Sequence, residues 1–341
     1  MAAKSGVIGL VLDAVVGAAR AERLFSVLVV PQGLLAEPGP RVSRAGIAQA
    51  LNMLLFEDLI GRVPAAQMYV EHCLQEGRTV MHDHGAVRTV ARAGMGALPG
   101  GQEALVRLLR PLGYVLLGVY PLERLKMTGR SWAQADMPEE IAQFFISELH
   151  PERFTADFQA AVERVTAGSL DPLTDDSGSL LGTLEAQGSL TVAQAAKLLP
   201  GLVACFARQH PEPAMADYEM LLGESAEMAW ISTEGNAFNH ATDRVEDVDT
   251  LAAEQKGLGQ PMKEVVETSQ SQRVRQTAFH AARVRRGFRG ADGERAEREV
   301  PGSFLEFITR LPITDETGKT RLDLSFDPAN AQAIFKMTAN R

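Results

Sequence analysis

The sequence predicts an α+β chain in which two strand-rich parts flank a helical block. Three observations carry this. Strand-forming runs surround residues 80–90 and 114–120. Further runs of the same kind fill residues 229–311. Between them, Ile141, Phe144, Phe145 and Leu149, then Phe154, Phe158, Val162 and Val165, recur at helical spacing. The division read from these is a mixed α/β part over 1–125, a mostly helical cover over 126–228, and a strand-rich part over 229–341. The first and last parts would share one core.

Bulk properties narrow the class. At 341 residues the chain has the length of roughly two domains or one large one. With 45% apolar and 23% charged residues it has enough to bury a core. A net charge of −9 argues against nucleic acid or an anionic membrane as partner. Cys73 and Cys205 stand far apart and in no metal or redox spacing, which suits a reduced, cytoplasmic setting. The apolar run Gly6 to Leu12 is interrupted by Asp13 and reads as a buried helix rather than a secretion signal. No run approaches the ~20 apolar residues that span a bilayer.

Taken in order, Leu24 to Val30 reads as a strand or a helix end, and Ile47, Leu51, Leu54, Leu55 and Leu59 as a helix. Pro64 suits the first position of a helix through Gln75. Val80, Val87, Thr89 and Val90 favour a strand through His82–Arg88. Gly94 to Gly101 is a loop, without the third glycine of a dinucleotide fingerprint. A helix from Gln102 to Arg110 stops at Pro111, and Tyr114 to Tyr120 is a strand. Pro138 opens a helix through Leu149, Asp171 to Gly188 is a polar connection, and Pro200 kinks or breaks a helix over Thr191 to His210. Met215 to Ala226 continues the helical pattern. Trp230 to Thr233, Asn236 to Thr242, Val265 to Thr268, Thr277 to Phe288 and Gly302 to Leu311 read as strands, with a helix over Val245 to Lys256. Asp327-Pro328 opens a last helix to about Met337. No internal repeat is evident.

The chemistry concentrates at His82-Asp83-His84-Gly85-Ala86-Val87-Arg88. In a strand, His84 and Arg88 point the same way with only Ala86 between them. Their Cα atoms would stand roughly 13 Å apart. His240 follows Ala237-Phe238-Asn239 in an expected core strand, where a histidine is more often a satisfied core residue than a ligand. His280 has a similar claim. Glu306, in Gly302 to Thr309, is flanked by apolar residues, and a carboxylate buried there requires a cation or several donors. A metal ion meets that need; so does one of the arginines between 273 and 298. Arg275, Arg283, Arg285, Arg286 and Arg289 themselves read chiefly as solvated charges paired with the acidic surface, with carboxylate recognition as the functional alternative. Two imidazoles and one carboxylate on separate strands form the facial triad of non-haem Fe(II) oxygenases, which leaves positions open for a 2-oxo acid and O2. Spacing alone does not select this triad: His82 competes with His84, and Zn or Mn with Fe.

At His84-Gly85-Ala86-Val87-Arg88, Asn239-His240, Gln276-Thr277-Ala278-Phe279 and Gly302-Ser303-Phe304-Leu305-Glu306 the chain resembles the 2-oxoadipate dioxygenase/decarboxylase family over most of its length. That family is similar in fold to vicinal-oxygen-chelate proteins and in chemistry to hydroxymandelate synthase. The resemblance implies a vicinal-oxygen-chelate-like curved β-sheet core covered by a helical block. It also implies Fe(II) held by His84, His240 and Glu306, with Arg88 on a substrate carboxylate. The implied reaction turns 2-oxoadipate and O2 into 2-hydroxyglutarate and CO2, a step of lysine breakdown, with a small 2-oxo dicarboxylic acid as partner. Two other classes stay open: a glyoxalase-type lyase or isomerase with a redox-inert metal, and a non-catalytic binding protein whose histidines are structural.

Overall fold

The computed structural model describes residues 6–314 and 318–327. Its main sheet has eight strands: β1 (His82–Val90), β2 (Tyr114–Leu122), β3 (Met127–Gln134), β4 (Gln143–Leu149), β5 (His240–Arg244), β6 (Glu267–Thr268), β7 (Val274–Ala278) and β8 (Phe304–Arg310). They run in the order β2-β3-β4-β1-β5-β8-β7-β6 and curl into a half-barrel.

This order reads the same from both ends. Each half is a strand, a helix and three more strands, with α5 (Glu103–Leu109) after β1 and α11 (Val248–Gly257) after β5. In each half the fourth strand lies parallel beside the first: β4 beside β1 and β8 beside β5. The halves meet where β1 and β5 pair antiparallel. The chain thus repeats a topology that its sequence does not reveal. Between β7 and β8 the second half carries an inserted hairpin, Arg283–Arg289 with Arg295–Pro301.

Both faces of the sheet are covered, which is why every residue of β1, β4 and β8 is buried. On one face, Val87, Phe144, Ile146, Ala241, Leu305 and Phe307 pack with helices α1 (Gly6–Val16), α2 (Ala18–Val27), α3 (Arg44–Arg62) and α4 (Pro64–Gln75). The helices α7 (Asp175–Gln187) and α8 (Val192–Ala204) join the same cluster through Leu184 and Leu202. On the other face, Ala86, Phe145, Ala278 and Phe304 pack with α6 (Ala156–Thr166), α9 (Met215–Glu224) and α10 (Ala226–Glu234). Pro64 opens α4 as expected, and Ser43 caps α3 by accepting from Gly46 N at 3.1 Å.

Several expectations are corrected. The helix expected from Pro138 to Leu149 is strand β4, and β3 precedes it, so residues 127–149 belong to the sheet rather than to its cover. A strand buried on both faces has a near-continuous apolar run, and Ile141, Phe144, Phe145 and Leu149 within it happen to match a helical period. The strand expected at Trp230 to Thr233 lies in α10, where residues 227–234 are all buried and no amphipathic stripe marks the helix. Thr277 to Phe288 is two strands, divided by residues 279–282. Residues 175–187 of the expected polar connection form α7, capped by Thr174, which accepts from Ser177 N. α8 runs through Pro200 to Ala204. The expected helix after Asp327 lies outside the described residues. Among the described residues no helix is long and apolar enough to cross a membrane.

Gly85 sits where the two halves meet, paired with Ala241. A Cβ there would lie 2.1 Å from Phe238 Cζ. Gly85→Ala is therefore expected to destabilise the fold by about 1–3 kcal/mol through overpacking. A denaturant midpoint equal to wild type would show that Phe238 has room to move.

Candidate metal centre

The register between the halves brings the expected ligands together. Gly85 faces Ala241, so His84 lies opposite Thr242 and Ala86 opposite His240. Exchange of the two halves therefore carries His84 onto His240. On the outer flanks, β4 sets Phe145 beside Ala86, and β8 sets Glu306 beside Thr242. The same exchange carries Phe145 onto Glu306. The two histidines are equivalent, whereas the third position holds a carboxylate in one half and a phenyl ring in the other.

The imidazoles of His84 and His240 stand 5.5 Å apart at 85°. Glu306 Oε2 lies 3.1 Å from His84 Nε2 and 3.4 Å from His240 Nε2. Thr242 Oγ1 donates to Glu306 Oε2 at 2.6 Å. One ligand atom from each of the three residues lies within 4.8 Å of the others. Bonds of roughly 2.1 Å to a single cation accommodate the 3.1 and 3.4 Å separations from Glu306 Oε2 to the two imidazole nitrogens. Two neutral nitrogens and a carboxylate oxygen are donors that suit Fe, Zn or Mn. The three side chains line a small cavity that Phe145, Ser147 and Phe326 also face.

Two of the three groups, His240 and Glu306, hold the charge state that ligation needs. Burial pushes His240 down to about 3, so its ring is neutral at any working pH. Burial would lower His84 as well, but Asp83 and Glu306 on its two nitrogens outweigh that and leave it raised. Burial alone would raise Glu306; the two imidazoles and the Thr242 hydroxyl hold it below the usual carboxylate range.

Past the metal ligands, β1 carries Arg88 on the same face. Its side chain is fully buried, with the guanidinium 4.8 Å from the Trp230 ring centroid. Burial pulls this guanidinium down to about 10, and Glu227 acts in the opposite direction. The alternative ligand His82 is excluded by a bulge. The β1–β5 register shifts between His82 and His84. His82 thereby turns to the other face, 5.1 Å from Phe56 and 6.2 Å from Phe238. His280 is exposed. The rival partner for Glu306, an arginine from 273–298, is also excluded. Arg283 pairs with Glu299, Arg286 with Glu234 and Arg295 with Glu212. Sequence reasoning missed Asp83, Thr242, Asn239, Phe326 and Arg310 as neighbours of the site. Only Asp83, inside the motif, gave a signal.

Comparison with known proteins agrees with this geometry. A sequence profile of the 2-oxoadipate dioxygenase/decarboxylase family matches residues 55–339. The chain belongs to that family. A chloroplastic 2-oxoadipate dioxygenase/decarboxylase from Arabidopsis thaliana is 23% identical over 294 residues, covering 77% of this chain and 69% of the plant protein. Among solved structures, a protein of Ralstonia eutropha JMP134 assigned to the glyoxalase superfamily is 56% identical, with a TM-score of 0.89 over 94% of this chain and 98% of its own. A hydroxyglutarate synthase from Oryza sativa in complex with 2-oxoadipate is 19% identical, with a TM-score of 0.65 over 89% and 97%. At that identity the likeness is one of fold. The 2-oxoadipate dioxygenase/decarboxylase family thus brings with it the vicinal-oxygen-chelate-like sheet expected from the sequence.

Phe145→Glu would give the first half the carboxylate that the second half has. Divalent-metal affinity is expected to rise about tenfold, roughly 1.4 kcal/mol, by calorimetry on metal-depleted protein. Unchanged or weaker binding in a folded variant would show that positions 145 and 306 are not equivalent.

Proposed function

We propose that this chain is a non-haem Fe(II)-dependent dioxygenase/decarboxylase that converts 2-oxoadipate and O2 into 2-hydroxyglutarate and CO2. The convergence of His84, His240 and Glu306, with Arg88 further along the same face of β1, carries this reading. It is supported by the family of the chain and by the 2-oxoadipate seen in a hydroxyglutarate synthase of the same fold. A cytoplasmic place in lysine breakdown accompanies it.

Iron held there would supply the redox chemistry that couples loss of CO2 to oxygen insertion. The remaining work belongs to the chain. His84, His240 and Glu306 would hold the ion, and Phe145 offers no ligand at the position equivalent to Glu306. Phe145 and Phe326 keep bulk water from the site. Arg88 receives the far carboxylate through the two parallel donors of its fork, which sets a diacid's length and direction. With no solvent at Arg88, that contact is strong and selects against uncharged tails.

The test is oxygen uptake with 2-oxoadipate after anaerobic loading with Fe(II), with 2-hydroxyglutarate measured as product. His84→Ala, His240→Ala and Glu306→Ala are each expected to lose metal and turnover. Arg88→Met is expected to retain iron but raise KM for 2-oxoadipate by roughly 30-fold or more, the cost of losing a buried charged partner. Near wild-type uptake in any ligand variant overturns the assignment. The same three ligands around a redox-inert ion would suit a glyoxalase-type isomerase, the superfamily to which the 56% identical relative is assigned. Product formation without oxygen consumption would select that second reading.

A further inference from the structure

Behind the ligands lies a charge pair that the proposed chemistry does not use. Asp83 and Arg310 are buried, with side chains 2% and 0% exposed. Arg310 donates from Nε to both Asp83 oxygens at 3.0 Å and from Nη2 to Oδ1 at 2.9 Å. Its Nη1 donates to the main-chain carbonyls of Asp323 and Ser325 at 2.8 and 2.9 Å. Asp83 Oδ1 also lies 2.9 Å from His84 Nδ1. Neighbours on a regular strand face opposite ways; the irregularity between His82 and His84 lets Asp83 reach the ring that follows it. Burying an ion pair is costly, and apolar replacements are often as stable, so stability alone gives no reason for this one.

We infer that Asp83, fixed by Arg310, is a positioning residue that determines which nitrogen of His84 meets the metal. The inference rests on the metal reading above. An ionised carboxylate only accepts hydrogen bonds. Nδ1 of His84 is therefore occupied by a proton shared with Asp83, and Nε2, 3.1 Å from Glu306 Oε2, is the nitrogen left to meet a metal. The equivalent histidine lacks this constraint. His240 Nδ1 meets the side-chain amide of Asn239 at 3.0 Å. An amide turned one way donates to a bare Nδ1, and turned the other way accepts from Nδ1–H. His84 is thus preset for ligation, whereas His240 has a partner that suits either tautomer. A carboxylate behind a metal-binding imidazole also raises its basicity and holds its ring plane.

The test titrates metal-depleted protein with cobalt(II) and reads affinity and visible spectrum. Asp83→Asn is expected to weaken cobalt binding 10- to 100-fold and alter the spectrum, since an amide no longer dictates the tautomer. That variant leaves Arg310 buried without its counter-ion, so Asp83→Asn with Arg310→Gln is measured beside it, and the same loss is expected. Independently, nitrogen-15 spectra of wild-type imidazoles are expected to show His84 protonated at Nδ1 in the metal-free protein. Cobalt affinity within twofold of wild type in either folded variant, or a His84 Nδ1 that carries no proton, overturns the inference. Wild-type protein that takes up no cobalt overturns the metal reading itself, which is a distinguishable result.

Discussion

The antiparallel pairing of β1 with β5 is the constraint on which the site depends. It joins two equivalent halves through their first strands, and its central pair is Gly85 with Ala241. Any other register would shift His84 and His240 out of line, and a shift by one residue would turn a histidine to the opposite face. Packing fixes the register from both sides. The Phe238 ring fills the space where a side chain at residue 85 would be. On the site face, the Phe304 ring stacks 4.9 Å from His240. The ligand geometry is therefore a consequence of sheet packing rather than of loops, which favours a rigid site.

Within that equivalence, asymmetry makes the site chemically useful. A carboxylate at 306 and a phenyl ring at 145 put every ligand on one side. On the proposed metal reading, a fourth protein ligand would close the flank that a chelating molecule would use. The polar row continues along β1 to Arg88 and along β5 to Arg244, whose Nε lies 3.6 Å from Asp83 Oδ2, whereas the carboxylate at 306 belongs to the second half alone. The buried guanidinium at Arg88 costs burial energy that only a negative partner offsets; within the chain Glu227 contributes this charge.

How much of this was legible in the sequence follows from what each signal encodes. The motif His84 to Arg88 was legible because strand alternation is local: once a strand is assumed, same-face residues follow. His240 and Glu306 were visible as a histidine and a carboxylate in apolar strands, but their convergence depends on strand order, which no local pattern encodes. Helices with one buried face, such as α4, were read correctly. Elements buried all round, β4 and α10, were exchanged, because a fully apolar segment has lost the period that distinguishes 3.6 from 2. The exclusion of His82 was hidden for a different reason. A bulge inverts alternation with no change in composition, so only the register shows it. The duplicated topology was equally hidden, since equivalent positions such as Phe145 and Glu306 have opposite chemistry.

Among the described residues, a strap lies over the open flank. Phe326, in the segment Asp323 to Asp327, presents its ring 4.9 Å from His84, 4.9 Å from Phe145 and 6.0 Å from Tyr120. Polar contacts hold this segment along its length: Arg310 reaches two of its carbonyls, Gln143 Nε2 donates to Leu324 O at 3.3 Å, the Tyr120 hydroxyl accepts from Phe326 N at 3.2 Å, Arg273 Nε donates to Asp323 Oδ2 at 3.3 Å and Gln270 N donates to Asp327 Oδ2 at 2.8 Å. The arginine that grips the strap also grips Asp83, which touches His84. One buried cation therefore stands at the junction between a ligand's orientation and the cover over its open side.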